Sequence, residues 1–225
     1  ESCDWLGAIS RQTYGIVSRL TKLTDKPTWK PHEDWQVSYV PHGINPNEFK
    51  PVEVNDEFRK KILGGKEYDY LFFWSNRNIR RKQPSDVIMA FKEFCDRIGE
   101  DKAKKVALVM HTSPKDQNGT DLPVVAQTLA PGCNVVFSTS KLSTNDLNKL
   151  YNMVDCTVNI AGNEGFGLTT AESVMAGTPI IVNVTGGLQD QCGFKLDGKY
   201  LTAEDYIEIG SLHKWRDWED KVTWG

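Results

Sequence analysis

Long apolar runs are missing from this chain. No stretch approaches the roughly 20 residues that a spanning helix needs, and no signal-peptide pattern is visible. Excess charge of one sign is missing too: 27 Lys and Arg stand against 30 Asp and Glu, a net charge of −3. Such a balance provides no overall field for nucleic acid or an anionic membrane, so neither is an expected partner. The five cysteines (Cys3, Cys95, Cys133, Cys156, Cys192) are scattered, with no C-x-x-C. That argues against a disulfide framework or a zinc site and for reduced thiols in a cytoplasmic compartment. There is no D-x-D pair and no His/Asp cluster at metal-ligand spacing. Internal repeats, heptads and low-complexity tracts are absent as well.

What remains is an ordinary globular composition, 39% hydrophobic and 25% charged over 225 residues, enough for one sizeable core or two small ones. From about Leu71 onward, short apolar runs alternate with helical periodicity. Strands are predicted at 70–75, 105–112, 134–140, 156–161 and 179–184. Helices are predicted at 84–98, 122–130, 143–154 and about 170–176, with Pro84 in a first turn, Ser143 or Thr144 as a cap and Gly177 as a C′ residue. Five apolar strands alternating with helices specify an α/β fold, a doubly wound parallel sheet covered on both faces. Ligands of such sheets bind beyond the carboxyl ends of the strands. Before this region, residues 1–50 suggest a short strand, an amphipathic helix and a further strand that leads into the turn-rich run "PHGINPNEF" (41–49).

The densest chemistry lies in "NEGFGLTTAE" (163–172). Glycines just before a helix let the backbone turn tightly and approach a ligand without a Cβ in the way. The first-turn N–H groups then favour phosphate. Glu172 has two readings: a capping box in "TTAE", with Thr169 as cap and Glu172 at N3, or a ligand contact. Glu164 precedes the turn at a strand's carboxyl edge, where a carboxylate would repel phosphate but could accept hydrogen bonds from hydroxyls. Two carboxylates around a phosphate nest suit a ligand with hydroxyls at both ends, as in a nucleotide sugar. "SNRNIRRKQPSD" (75–86) follows the first sheet strand and carries Arg77, Arg80, Arg81 and Lys82. A basic run is most often a solvated face; at a ligand edge it is a candidate anion clamp.

These residues together resemble the retaining glycosyltransferases of the GT-B fold, in the large family that includes sucrose and glycogen synthase relatives. That family carries an E-x₇-E motif, matched by Glu164 and Glu172, and an Arg-x₄-Lys pair, matched by Arg77 and Lys82. The connection "PHGINPNEF" and the Gly-Gly turn in "TGGLQDQ" (185–191) match in the same order. The resemblance implies that Arg77 and Lys82 neutralise a diphosphate and that Glu164 binds donor-sugar hydroxyls. It further implies that Gly165, Phe166, Gly167, Leu168 and Thr169 hold sugar and phosphates, and that Glu172 binds the ribose. No cofactor and no metal are implied, the donor nucleotide sugar being a substrate; the acceptor could be a glycan, a lipid or a small molecule. Here the sequence departs from the family pattern: a glycine after the lysine is lacking, and Arg80 and Arg81 leave other pairings open.

The same resemblance assigns residues 1–35 to the remnant of an acceptor domain and 36–52 to the inter-domain connection. Residues 53–195 would be the donor-binding Rossmann-like domain, with 196–225 a tail holding Trp215, Trp218 and Trp224. A fragment is therefore expected, one that binds donor weakly, turns over little and self-associates through its exposed cleft face or aromatic tail. Two alternatives stand beside the transferase: a nucleotide or nucleotide-sugar binding module without turnover, and another GT-B enzyme such as a sugar-nucleotide epimerase or a phosphorylase.

Overall fold

Ser10 marks the start of the first helix. Its backbone is extended and its side chain accepts the Thr13 N–H at 3.1 Å, which satisfies one of the donors a helix start leaves open. Strand β1 (Leu6–Ala8) feeds this helix, α1 (Arg11–Leu20), and β2 (Val37–Tyr39) returns parallel to β1 with Leu6 opposite Val37. The computed structural model describes residues 3–22, 33–200 and 222–223. Two units are distinguished. One is drawn from Glu1–Gly43, Asn163–Gly167 and Val184–Gly225, the other from Ile44–Gly162 and Leu168–Asn183.

The second unit holds the sheet. Helix α2 (Asp56–Leu63) leads into β3 (Tyr70–Ser75), and α3 (Pro84–Ile98) and the single turn α4 (Glu100–Ala103) precede β4 (Val106–His111). Helix α5 (Leu122–Leu129), β5 (Val135–Ser138), α6 (Thr144–Met153), β6 (Cys156–Asn159), α7 (Leu168–Met175) and β7 (Ile180–Val182) follow in turn. All five strands are parallel, in the order β5-β4-β3-β6-β7. Alternation along β3 shows why its sequence is apolar throughout. Leu71 and Phe73 join one core with Leu150 and Tyr151 of α6 and Ala176. Trp74 joins the other with Val87, Ile88 and Phe91 of α3 and Leu122 of α5. A strand buried on both sides has no polar face to offer.

The doubly wound α/β reading holds, with each predicted strand at its predicted place. Ser143 caps α6 through the Asp146 N–H (3.1 Å), and Pro84 opens α3. Gly177 (φ +85°) ends the turn after α7: its N–H reaches the Val174 carbonyl, and that of Thr178 reaches Ser173. Besides the short helical turn α4, which was not predicted, three elements differ from expectation. Helix α7 begins at Leu168, two residues early, and α2 was not anticipated, although Asn55 caps it through the Phe58 N–H (2.9 Å) and left-handed Gly64 stops it.

The third difference concerns 185–191, read as a Gly-Gly turn. It is a helix, α8 (Gly186–Gln191), in the first unit. A last pair of strands, β8 (Lys195–Leu196) and β9 (Val222–Thr223), runs antiparallel. Trp215, Trp218 and Trp224 lie outside the described residues.

Candidate functional site

The strand order locates a crevice. Strands β3, β4 and β5 step away in one direction and β6 and β7 in the other, so the winding reverses between β3 and β6. In open α/β sheets the ligand crevice lies at that reversal, outside the carboxyl ends of the strands. The segment after β3 carries the basic run, and the segment after β6 leads to α7.

After β3, the two residues of the expected clamp differ sharply. Arg77 is exposed and forms a fork on Asp116, with Nε to Oδ2 at 2.9 Å and Nη2 to Oδ1 at 3.4 Å. The guanidinium holds the Asp116 carboxyl below its usual range. Lys82 is buried, on a tight 3₁₀ turn (Arg80–Lys82) that hands into α3 through Gln83 at φ +50°. Arg80 and Arg81 beside it are exposed. Burying an ammonium group demands compensation, which a solvated basic face would not require. The Arg81 carbonyl accepts the Gly162 N–H at 2.9 Å, so this turn is tied to the segment that follows β6.

Asn78 was missed in the sequence. It is fully buried and organises the loop that carries Asp116: its Nδ2 donates to the carbonyls of Thr120 (2.7 Å) and Pro114 (3.1 Å), and its Oδ1 accepts the Thr120 N–H (3.2 Å). A Cβ at Gly119 would strike Asn78, so the loop needs a glycine there. No spacing rule flags an asparagine of this kind; its role is visible only when the loop is closed over it.

After β6, buried Asn159 accepts the Ala161 N–H at 3.2 Å and turns the chain. In α7, Thr169 is the second helical residue and Glu172 the fifth, so they do not form the capping box. Glu172 has another partner: its Oε2 accepts the Tyr151 hydroxyl at 2.7 Å. Burial pushes the Glu172 carboxyl up, and the tyrosine bond partly opposes this. Tyr151 is itself pushed well above its usual value, first by burial and then by the neighbouring carboxylate. Ser173 Oγ donates to Thr157 Oγ1 (2.7 Å) and fastens the helix to β6. At the neighbouring strand ends, the His111 Nδ1 lies 3.0 Å from Ser138 Oγ, and burial favours the neutral ring.

Residues 163–167 belong to the first unit, where α8 fixes their backbone. A Cβ on Gly186 would collide with the Glu164 carbonyl, and one on Gly187 with the backbone of Phe166. The Gly187 N–H donates to the Gly165 carbonyl (3.0 Å), and Gln191 Nε2 donates to those of Phe166 (2.7 Å) and Gly167 (3.0 Å). Three consecutive carbonyls therefore face α8. Across trans peptide bonds, the N–H groups of Phe166, Gly167 and Leu168 point the opposite way. His42 packs edge-on against Phe166, with ring centroids 5.3 Å apart, and Glu164 is half-buried. The glycines of 185–191 thus serve close approach of one backbone to another.

Among the described residues, no three His, Cys, Asp or Glu side chains gather as a metal site would need. Nor is any helix among them long and apolar enough to cross a membrane.

A parallel five-stranded sheet of this winding, covered by helices on both faces, is the architecture of GT-B glycosyltransferases. Sucrose-phosphate synthase from Thermosynechococcus elongatus superposes with a TM-score of 0.60 at 20% identity, covering 83% of this chain and 42% of that one. HepE from Anabaena, solved with UDP and glucose, gives 0.62 at 13% identity over 92% and 52%. The C-terminal domain of the group 1 glycosyl transferase LpcC from Francisella tularensis gives 0.50 at 17% over 80% and 90%. At these identities the likeness is one of fold. The chain spans about half the length of the first two. Residues 55–201 match the family of glycosyl transferases group 1, and the chain belongs to that family. No curated protein sequence matches it.

Proposed function

We propose that this chain is the donor-binding part of a retaining, metal-independent glycosyltransferase that uses a nucleotide sugar. The observation that carries the reading is the strand order. The Arg-x₄-Lys segment leaves β3 and the E-x₇-E segment leaves β6, on either side of the reversal where this class of sheet binds ligand. HepE, of similar fold, was solved with UDP and glucose.

In this reading Arg77 and Lys82 take the diphosphate. Arg77 supplies a fork and Lys82 a point charge, and with the first turn of α7 they stabilise the charge that develops on the departing nucleoside diphosphate. Glu172 accepts the ribose hydroxyls. Glu164 accepts hydroxyls of the sugar, and the backbone N–H groups from Gly165 to Leu168, with Thr169, hold sugar and phosphates. The aligned carbonyls on α8 support this, because they turn consecutive N–H groups away together as an anion nest requires. The roles of residues 164–167 rest on the motif. The bond between the anomeric carbon and the diphosphate oxygen breaks as an acceptor hydroxyl oxygen bonds that carbon on the same face, its proton passing to the departing diphosphate. We place the enzyme in the cytoplasm.

The test is incubation of the purified chain with UDP-, GDP- and ADP-sugars, with and without EDTA, measuring binding and nucleotide release separately. Binding of one nucleotide class, insensitive to EDTA, is expected. Failure to bind any of them would sink the reading. Binding without release, persisting when acceptors are supplied, would favour a binding module.

A further inference from the structure

We infer that Tyr151 is the positioning residue for Glu172: its hydroxyl holds one carboxylate oxygen so that the other is presented to the ribose of the donor. The inference rests on the proposed donor site and adds a residue that the E-x₇-E motif does not contain.

The geometry is that of a fixed donor aimed at a half-buried acceptor. Tyr151 is fully buried on α6, and its hydroxyl lies 2.7 Å from Glu172 Oε2, 21 residues along the chain. Among the described residues, no other group hydrogen-bonds this carboxylate. The ring has little freedom to move. Phe73 of β3 packs against it edge-on at 5.5 Å and 84°, and Phe49 at 6.1 Å and 68°. The helix beneath the ring is also strapped in place. Asn148 exchanges hydrogen bonds with the Lys50 backbone (3.1 and 3.0 Å), and Asn152 accepts the Val52 N–H (2.9 Å) while donating to the Lys50 carbonyl (3.0 Å). The Tyr151 carbonyl accepts the Thr178 hydroxyl at 2.8 Å, which secures the turn that ends α7. The Ser75 side chain, at the end of β3, acts on the same tyrosine hydroxyl.

A core ring could be Phe at this position at no loss of packing. A phenol here costs desolvation of its hydroxyl unless that hydroxyl is bonded, and its bond goes to a half-buried carboxylate of the motif. Tyrosine donates a single proton and so engages only one of the two carboxylate oxygens. Held from one side, the carboxylate loses the freedom to rotate that would otherwise have to be given up on binding.

The experiment compares Tyr151→Phe, Glu172→Gln and the wild-type chain by calorimetric titration with UDP, GDP and ADP. The tightest binder is then compared with its 2′,3′-dideoxy form. Wild type should prefer the ribonucleotide by about tenfold or more, the worth of a charge-assisted bond. Tyr151→Phe should lose most of that preference while binding the dideoxy nucleotide as wild type does. A merely structural role would weaken both nucleotides alike. If wild type discriminates and Glu172→Gln does not, while Tyr151→Phe keeps the full preference, the positioning role is overturned and the ribose site stands. If wild type shows no preference for ribose, or binds none of the three nucleotides, the ribose site itself falls and this inference with it. Should Tyr151→Phe unfold, Glu172→Asp tests the same geometry. A carboxylate one methylene short of the tyrosine should lose the preference, and one that retains it overturns the inference.

Discussion

The two faces of the central sheet are built from different materials. Toward α3 and α5, the buried contacts are Trp74, Val87, Ile88, Phe91, Leu108, Met110 and Leu122, a core of hydrocarbon and aromatic surface. Toward α6 and α7, apolar residues are interleaved with buried polar ones: Ser173 on Thr157, Thr178 on the Tyr151 carbonyl, Tyr151 on Glu172, and Asn148 on Lys50. Both faces exclude water, and the second also sets side-chain hydrogen bonds within its packing. Hydrophobic packing tolerates small displacements, whereas a hydrogen bond between buried groups fails when geometry drifts. The face that carries Glu172 is the one whose helices are fixed by angle as well as by fit.

That contrast can be broken from either side. The largest effect should come from the apolar face: Phe91→Ala removes a nearly fully buried ring and should cost about 3–5 kcal/mol of stability. Urea unfolding would measure the loss, with nucleotide affinity of the folded fraction unchanged. Next comes Glu172→Gln, expected to cost about 1.5–3 kcal/mol in nucleotide affinity by titration.

The stability of that variant should move the other way. Burial raises the Glu172 carboxyl, so between its unfolded and folded pKa values the folded state holds more protons and stability falls as pH rises. The neutral amide removes that slope and can still accept the Tyr151 hydroxyl. Its melting temperature at pH 7 should equal or exceed that of wild type, while wild type should gain on it as the pH is lowered into the window above 4.5. A lower melting temperature with unchanged affinity would make Glu172 structural.

Smaller again is Ser173→Ala, which orphans one side of a buried hydroxyl pair and should cost about 1–3 kcal/mol by the same unfolding assay. Smallest is Arg97→Ala at the outer surface of α3. Its pair with Glu93 spans 2.9 Å but both side chains are exposed, and the unfolding midpoint should not move measurably.

Much of the sheet was legible because its signal is one of composition. "YLFFWS" is a short apolar run of strand length, and "PSDVIMAFKEFCDRI" repeats at helical spacing behind a proline. The motif pairs were legible by spacing. What spacing could not supply was context. Thr169 and Glu172 fit a capping box in one dimension, yet the helix begins at Leu168 and leaves them at its second and fifth positions. The glycines at 186 and 187 read as a turn by the family resemblance, while their use here, to let α8 lie against another backbone, depends on Glu164 and Phe166, far earlier in the chain. Tyr151 falls within the predicted helix 143–154 and Asn78 within the basic segment 75–86, and the sequence singles out neither. Their partners, Glu172 and Thr120, are distant in sequence, and an aromatic or an amide in a core carries no mark of what it will bond.

The pairing of β3 bears on the order in which the molecule assembles. Strand β3 meets β4 after the crossover through α3 and α4, but Phe72 finds Cys156 only after β4, β5 and helices α3 to α6 have intervened. Closing the longer loop costs more chain entropy, which slows contacts of high sequence separation relative to nearer ones. The half-sheet β3-β4-β5 is therefore expected to acquire protected amides first in pulsed hydrogen exchange, and equal rates in β4 and β6 would contradict that order. The crevice between β3 and β6 is the seam at which the two halves join. A nascent chain released before residue 156 would hold the basic segment and nothing opposite it, so the proposed donor site would be complete only after the second half had joined the first.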